Sequence, residues 1–268
     1  MACRRGRVAV VGDRFQGIYG FRGADTDAID SFQKRLASSK RGCVVLPLTV
    51  TRRCPKSHVG LVNSLVPDIE AMEDAPEGEI GQVSNNHAVN LMKPGDLGLC
   101  RVNRCLASVA YRLLGRDIKV VIQGRDFGND LIAFIDRLKC SELPDLLQRM
   151  MDLHEQEYAK LRSLGDRGAT RMEILDDRIC CVIELSEGLS TVEALRQRIR
   201  QIFDDVNGDG SSRDAVLLGT VHRTKGLERN TVFVFAPELI PHPLAKLDWE
   251  VQQERNVAYI AGTRAKFQ

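Results

Sequence analysis

Several features are missing from this sequence of 268 residues, and each absence excludes a class of protein. No apolar run approaches the roughly 20 residues needed to span a bilayer, and Val8–Val11 is too short for the apolar core of a secretory signal. The eight cysteines form no CxxC pair, which excludes the usual zinc frameworks and favours reduced thiols. We therefore expect a cytoplasmic protein with no membrane segment.

Strong charge of one sign is also missing. The net charge is +2, with 43% hydrophobic and 28% charged residues, an ordinary composition for a globular protein. A balance this close to neutral is not that of a protein that binds nucleic acid through bulk charge, so any such site must be local. The length suits one large domain or two ordinary ones.

The most informative stretch is Gly12–Ala24, which directly follows the apolar residues Val8–Val11. We predict that Val8–Val11 is a short buried strand that ends in this polar, glycine-rich turn. Ligands gather at the carboxyl ends of strands in open α/β sheets, and this turn carries an acid, an amide, two aromatics and an arginine. The alternative is a glycine-rich connection with a few surface aromatic side chains.

The rest of the chain alternates short apolar runs with amphipathic stretches, which predicts an α/β fold with a largely parallel sheet. Further strands are expected at Val44–Leu48, Leu97–Val102, Lys119–Ile122, Ala215–Leu218 and Thr231–Phe235, with short β pieces near Glu79–Val83. Helices are expected after Asp27, after Pro55, at Arg104–Leu114, around Leu131–Leu138, at Leu143–Leu164, at 190–205 and at Trp249–Lys266.

One segment imitates the start of a calcium-binding loop. Asp205–Gly210 has acidic and glycine residues at suitable spacing, but the twelfth position of the loop is Val216 where an EF-hand needs a bidentate glutamate. We therefore interpret this segment as a linker rich in glycine and aspartate.

Gln16, Arg53 and Arg264 each follow a predicted strand or lie near a helix end. The planar guanidinium group suits phosphate oxygens, and positioned arginines stabilise the charge on a departing γ-phosphoryl group. For any one of these arginines a surface salt bridge is the simpler explanation. The sequence alone does not show whether the three side chains converge.

Two segments suggest contacts with nucleic acid. Tyr19 and Phe21 flank a glycine and precede Arg22, and exposed aromatics beside an arginine suit stacking on unpaired bases. The alternative is that one or both rings fill the core. A second, basic cluster can hold backbone phosphates, although a solvated loop would have the same composition. Its members are Thr220, His222, Arg223 and Lys225.

Taken together, four segments resemble the motifs of UvrD/Rep-type superfamily 1 DNA helicases, in the family's order. Gly12–Ala24 reads GDRFQGIYGFRGA and resembles motif III, GDxxQSIYxFRGA. Leu48–Cys54 resembles motif IV, LxxNYRS, and Gly219–Glu228 resembles motif V, TxHxxKGLE. Gln253–Ala265 is similar to motif VI, EERRLxYVAxTRA.

The resemblance implies a RecA-like (P-loop NTPase) second lobe with a largely parallel sheet and a helical insertion. It implies ATP with Mg²⁺ as the nucleotide and single-stranded DNA as the partner, with unwinding 3′ to 5′. By position, Gln16 would couple the γ-phosphate to DNA, Arg53 and Arg264 would be arginine fingers, and Glu228 would contact the ribose. Tyr19, Phe21 and Arg22 would contact single-stranded DNA, with Thr220, His222 and Lys225 along its backbone.

The sequence departs from the family in several ways. Phe21 stands where many members have tryptophan, and Arg52 replaces the tyrosine of motif IV that stacks on adenine, so base preference is open. No Gly-Lys dipeptide occurs, so the GxxxxGK[ST] phosphate loop is missing, and no DExx[DQ] acid pair is present for magnesium. We therefore expect the magnesium ligands to lie outside this sequence and the chain alone to be inactive as an ATPase.

These features suggest a division of the chain. Residues 1–40 would end the first RecA-like lobe, 41–140 and 206–268 would form the second, and 141–205 would be a helical insertion. Three explanations stay open. The chain is one part of a split helicase whose other polypeptide supplies the phosphate loop, a fragment of an intact helicase, or a non-catalytic DNA-binding or regulatory module derived from one.

Overall fold

The structure is a computed structural model that describes residues 9–20, 23, 28–38, 42–164, 166–204 and 214–266. Two short strands, β1 (Val50–Thr51) and β2 (Glu70–Ala71), pair in parallel at one side of the molecule. The centre is a second, five-stranded parallel sheet with the strand order β5-β4-β6-β3-β7. Its strands are β3 (Leu97–Cys100), β4 (Val120–Gln123), β5 (Phe203–Asp204), β6 (Val216–Thr220) and β7 (Val232–Val234).

The two faces of the central sheet are both covered. Successive side chains of a strand point to opposite faces, so Leu97 and Leu217 enter one hydrophobic cluster while Cys100 and Leu218 enter the other. Every residue of β3 and β6 is buried. Parallel strands that are covered on both sides are continuously apolar, which is why the sequence pattern revealed them.

Helices provide these two layers. One layer contains α2 (Lys56–Val62) and α9 (Asp248–Gly262). Helix α1 (Ala28–Ala37) lies near the start of the chain, and 3₁₀ helices occupy Arg14–Gln16, Arg162–Leu164 and Pro237–Leu239. The other layer consists of α3 (Asn85–Leu91), α4 (Asn103–Leu114), α5 (Arg125–Leu138), α6 (Leu143–Leu161), α7 (Asp166–Ser186) and α8 (Val192–Ile202).

Helices α6, α7 and α8 follow one another within residues 143–202 and pack against α4 and α5. Pro144 suits the first turn of α6, because its missing N–H would have no partner there. Thr191 caps α8 by accepting a hydrogen bond at Oγ1 from the backbone N of Ala194 at 3.2 Å. This part of the chain therefore extends the helical layer without adding a central strand of the sheet.

Three predicted β segments are wrong. Residues 9–11, 44–48 and 79–83 have no strand, and Val8 lies outside the described residues. Their apolar side chains stay exposed, with Val11 85%, Leu46 80% and Leu48 89% exposed. The physical reason is that no strand in the described part of the chain pairs with them, and a lone extended segment is not a stable strand.

The predicted α/β class with a largely parallel sheet is confirmed, and the arrangement agrees with a RecA-like lobe. Within the described ranges, no helix is both long and apolar enough to cross a membrane. The cysteines in those ranges, from Cys43 to Cys181, carry free thiols. The segment Asp205–Gly210, with its calcium-loop spacing, lies outside the described residues.

Candidate functional site

The segment of residues 12–20 lies against helix α9 and the loop that follows β6. Ile18 is fully buried in the same hydrophobic cluster as Ile260 of α9. Lys225, in the loop after β6, donates from Nζ to the carbonyl oxygen of Gln16 at 2.8 Å. Residues 12–20, helix α9 and the loop after β6, which are far apart in the sequence, therefore meet in one place.

Gln16 carries its carboxamide on the short 3₁₀ helix, whose shape is set by Asp13. One Asp13 carboxylate oxygen accepts from the backbone N of Phe15 at 2.9 Å, and the other accepts from Gln16 Nε2 at 2.8 Å. The hydroxyl of Tyr259 on α9 donates to that second oxygen at 3.5 Å. Asp13 thus fixes both the turn and the carboxamide, a role that the sequence did not reveal.

Arg53, Glu228 and Arg264 come together in a partly buried cluster. Arg53 Nη1 donates to Glu228 Oε1 at 2.6 Å. Arg264 is only 1% exposed and donates from Nε to the carbonyl oxygen of Ile260 at 3.0 Å. Burial, and next the positive charge of Arg53, lower the pKa of the Arg264 guanidinium. Two guanidinium groups therefore share the field of one carboxylate.

Tyr259 links this arginine cluster to the Gln16 segment. Burial, followed by the negative charge of Asp13, raises the pKa of Tyr259 to about 12, while the charges of Arg53 and Arg264 act in the opposite direction. The Tyr259 ring also packs edge to face on Phe15, with centroids 6.2 Å apart. The Tyr259 hydroxyl therefore bonds to the carboxylate that holds Gln16 and also experiences the charge of the two arginines.

Backbone hydrogen bonds explain why the arginine cluster forms. Arg53 lies on the bend between β1 and α2, just before Pro55 at the start of that helix. Arg264 follows the end of α9, where its carbonyl oxygen accepts from the backbone N of Arg229 at 3.2 Å. The backbone N of Lys266 then donates to Arg229 O at 3.0 Å. The segments that carry Glu228 and Arg264 therefore run side by side.

Guanidinium nitrogens of Arg53 in the cluster, and of Arg229 next to it in the sequence, are buried without an acceptor in the part of the chain that the structure describes. They are Arg53 Nε and, next to Glu228, the Nε and Nη2 atoms of Arg229. Buried polar groups are almost always hydrogen-bonded, so each exception needs an explanation. Arg52, by contrast, is exposed on the same bend as Arg53. The cluster thus holds unused donors that suit an anion.

Tyr19, His222 and Lys225 form a second cluster beside the first. The Tyr19 hydroxyl donates to the carbonyl oxygen of His222 at 2.8 Å, and the two rings meet edge to face with centroids 6.2 Å apart. Lys225 Nζ lies 5.6 Å from the centre of the Tyr19 ring, within reach of a cation–π contact. An aromatic ring and two basic side chains therefore share one partly exposed surface.

The other residues predicted to contact DNA differ in position. Thr220 ends β6 and is 8% exposed, and its carbonyl oxygen accepts from the backbone N of Arg223 at 2.9 Å and of Thr224 at 3.0 Å. The backbone of Thr220 therefore stabilises the loop, while its side chain has little exposed surface for a contact with DNA. Phe21 and Arg22 lie outside the described residues.

Two buried carboxamides on α9 were not anticipated. Gln253 is 6% and Asn256 is 3% exposed, and both bind the backbone of residues 14–20. A signal for them does exist in the sequence. They stand three residues apart, on the face of the helix that carries the apolar residues Val257 and Ile260. Polar side chains on a buried face need partners, and here the partner is the Gln16 segment.

A separate ionic network holds another side of α9. Glu254 accepts from Arg101 Nη2 at 2.8 Å and from Arg101 Nε at 3.1 Å, and it also accepts from the backbone N of His242 at 2.9 Å. The His242 ring in turn pairs with Glu173 of α7 through Nε2. In the described ranges no group of three or more histidine, cysteine or acidic side chains is placed to hold a metal ion. We interpret this network as structural.

Comparison with known proteins agrees with the motif pattern. Residues 141–268 match the family model of the UvrD-like helicase C-terminal domain. The chain is 24% identical over 297 residues to F-box DNA helicase protein 1 of Schizosaccharomyces pombe, covering 98% of this chain and 30% of that protein. It is 26% identical over 194 residues to F-box DNA helicase 1 of Gallus gallus, covering 63% of this chain and 18% of that protein.

The chain thus spans less than a third of the length of these relatives, with 30% and 18% covered. The family match begins at residue 141, and the motifs resembling III and IV precede it. The resemblance to the C-terminal part of a UvrD-like superfamily 1 DNA helicase is confirmed, with the UvrD-like helicase C-terminal domain at residues 141–268.

Proposed function

We propose that this chain works as part of an ATP-dependent DNA helicase that moves 3′ to 5′ on single-stranded DNA and unwinds duplexes. In this proposal it contributes arginines to the γ-phosphate and loops to the DNA. The observation that carries the proposal is the cluster of Arg53, Glu228 and Arg264, which is joined through Tyr259 to the segment of Gln16. Such a meeting of distant side chains supports a shared ligand.

The chemistry of this cluster suits a nucleotide phosphate. Guanidinium groups in a partly buried place stabilise negative charge more strongly than they would in water. The positive charge of Arg53 acts on Arg264, and the buried Arg53 Nε lacks an acceptor among the described residues. ATP would supply the missing negative charge and acceptors. In this assignment Glu228 leaves Arg53 and turns to the ribose.

In the same proposal, Gln16 senses the same ligand. Asp13 orients the side-chain carboxamide of Gln16. Lys225, of the cluster assigned to DNA, binds the backbone carbonyl oxygen of Gln16. A change at the γ-phosphate would therefore reach the DNA surface through one residue. Gln16 thus serves as the coupling residue in this proposal.

The phosphate loop and the magnesium carboxylates are proposed to come from outside this sequence, either from another part of a longer chain or from a separate polypeptide. The apolar residues of 9–11 and 44–48 support this. Val10, Val44 and Val45 are 54%, 83% and 57% exposed, in extended segments with strand-like sequence. An adjoining lobe would pair with and cover them. Residues 1–40 then end the first lobe, 41–140 and 206–268 form the second, and 141–205 are an insertion.

The second cluster supports the contact with single-stranded DNA. Tyr19 offers a ring for a base, and His222 and Lys225 offer donors and positive charge for phosphates. Because the net charge is only +2, this local cluster matters more than bulk attraction.

One observation favours the second candidate, a DNA-binding module that does not hydrolyse ATP. Arg264 is only 1% exposed, and Arg53 is paired with Glu228, so neither arginine is free to extend in this state. The two candidates differ in whether a nucleotide breaks these internal bonds.

The coding DNA upstream of the Met1 codon discriminates between the candidates. A phosphate-loop motif in frame supports a longer helicase, one in a separate neighbouring gene supports a split enzyme, and neither leaves the DNA-binding module. In parallel, the purified chain should show no DNA-stimulated ATP hydrolysis, because it has no phosphate loop. Hydrolysis by this chain that disappears in Arg264→Ala would contradict that prediction.

A further inference from the structure

The carboxamide of Asn256 holds the Gln16 segment through its nitrogen. Its Nδ2 donates to the carbonyl oxygen of Gly17 at 2.8 Å and to that of Arg14 at 3.3 Å. Its Oδ1 accepts from Gln252 Nε2 at 3.1 Å. Because the two carbonyl oxygens can only accept, position 256 must supply a donor.

Gln253, one turn earlier, has the opposite requirement. Its Oε1 accepts from the backbone N of Gly20 at 2.9 Å, so position 253 must supply an acceptor. The approach is close, since a Cβ atom on residue 20 would lie 2.6 Å from Gln253 Nε2. An added Cβ would therefore displace the Gln253 carboxamide, and the two carboxamides hold both ends of the segment.

The same helix leads to Arg264. Residues three, four or seven apart share one helical face, so Gln253, Asn256 and Ile260 lie along one line that ends next to Arg264. Ile260 packs with the fully buried Ile18, midway between the two carboxamide contacts. The segment that carries Gln16 is thus fastened to the helix that directly precedes Arg264.

We propose that Gln253 and Asn256 are positioning residues, an amide clamp that keeps Gln16 in a fixed position relative to Arg264. The proposal rests on the proposed function, in which both side chains act on one γ-phosphate. Two groups that act on the same atom must keep a constant spacing, and small misplacements lower the rate strongly. Loosening the clamp should therefore lower kcat for ATP hydrolysis and leave KM almost unchanged.

The test uses the opposite requirements of the two positions. Asn256→Asp keeps the shape but places an oxygen against two carbonyl oxygens, whereas Gln253→Glu keeps the acceptor for Gly20. We expect roughly tenfold faster hydrogen exchange in residues 12–20 for Asn256→Asp at neutral pH, and little change for Gln253→Glu. A role in packing alone would make the two acids behave alike.

Acidification gives a second readout. Once protonated, the carboxyl group that Asn256→Asp introduces would again donate to a carbonyl oxygen. Exchange in residues 12–20 of this variant should therefore slow as the pH falls, relative to the natural chain at the same pH. Arg255→Ala is the matched control, because it removes an exposed side chain from the same helix. Gly20→Ala is the second variant, which pushes Gln253 away without altering α9.

The outcomes separate the clamp from the proposed function. Unchanged exchange in both Asn256→Asp and Gly20→Ala would overturn the clamp. For the positioning role, the helicase that contains this chain together with its phosphate-binding lobe is assayed, and we expect kcat in Asn256→Asp about tenfold lower at constant KM. Faster exchange with unchanged kcat overturns the positioning role. Full ATPase activity in both Arg264→Ala and Gln16→Ala overturns the proposed function itself.

Discussion

Replacing Glu228 by glutamine should destabilise the fold more than replacing Arg53 by glutamine, although both changes remove the same ion pair. Glu228 Oε1 lies 2.6 Å from Arg53 Nη1. The positive charge of Arg53 also lowers the pKa of Arg264, after the larger effect of burial, whereas the charge of Glu228 acts in the opposite direction. Glu228 is therefore the counter-charge for two arginines, and Arg53 is only one of them.

The structure sets the size of the difference. A hydrogen bond to a charged group contributes about 1.5–3 kcal/mol when it is well shielded. The Arg53 and Glu228 side chains keep 27% and 33% of their exposure, so about 1 kcal/mol is appropriate for the pair. Glu228→Gln also leaves two nearby guanidinium groups without a counter-charge, which brings the total to about 2–3 kcal/mol. Arg53→Gln removes that repulsion together with the pair and should cost about 1 kcal/mol or less.

The assay is urea unfolding of the full chain at neutral pH and low salt, followed by circular dichroism, for both single variants and the double variant. Glu193→Gln, which breaks an exposed ion pair on α8, is the matched control and should cost less than about 0.5 kcal/mol. In the double variant, the extra cost of losing Glu228 should shrink, because Arg53 no longer repels Arg264 and only Arg264 is left without the counter-charge. Equal costs for the two single variants, or a larger cost for Arg53→Gln, would refute the reasoning.

Three further predictions follow from buried or paired side chains. Ile18→Ala should lower the free energy of unfolding by about 2–5 kcal/mol in the same urea assay, because Ile18 is fully buried, and a loss below about 1 kcal/mol would contradict this. Burial acts to raise the pKa of Glu173, but the hydrogen bond and charge of His242 outweigh it and lower that pKa below its usual value. A carboxyl group whose pKa is lowered in the folded state stabilises the fold at pH values above its unfolded pKa of about 4.3. This stabilisation is lost as the pH falls through the lower folded pKa, so the free energy of unfolding of Glu173→Gln should depend less on pH in the acid range. Lys225→Met should weaken binding of single-stranded DNA, measured by fluorescence anisotropy, and reduce the salt slope by about one, while an unchanged slope would exclude a phosphate contact.

The central sheet could be predicted from the sequence because its information is local. Strands β3, β4 and β6 are short apolar runs between turn residues, and the structure has them within two residues of the predicted bounds. Residues 44–48 have an equally apolar sequence but form no strand. Pro47 cannot donate a ladder hydrogen bond, and no strand among the described residues pairs with this segment, which a local pattern does not reveal. Helix α3 was missed for a related reason, since its seven residues are too few to show a period.

The sequence indicated which residues to consider for the candidate site, but it did not indicate how their side chains contact one another. The motifs indicated Gln16, Arg53, Glu228 and Arg264 individually, but the 2.6 Å contact between Arg53 and Glu228 joins residues on separate elements. The supporting side chains were missed because their partners are backbone atoms. Asn256 binds carbonyl oxygens of the Gln16 segment, and every residue has such an oxygen, so no pattern in the sequence identifies the partner.

The side chains assigned to ligands already have partners within the chain, and this limits how a ligand can bind. Gln16 is held by Asp13, Arg53 by Glu228, and Tyr19 by the carbonyl oxygen of His222. In the proposed function, a nucleotide or a DNA strand would exchange existing hydrogen bonds for new ones, and the net gain would be the difference between the two sets. Binding at one cluster would then affect the Gln16 segment, whose backbone carbonyl oxygen is bound by Lys225 of the other cluster. This exchange would lower the affinity for each ligand alone. It would also be the physical basis by which binding of one ligand changes the affinity for the other.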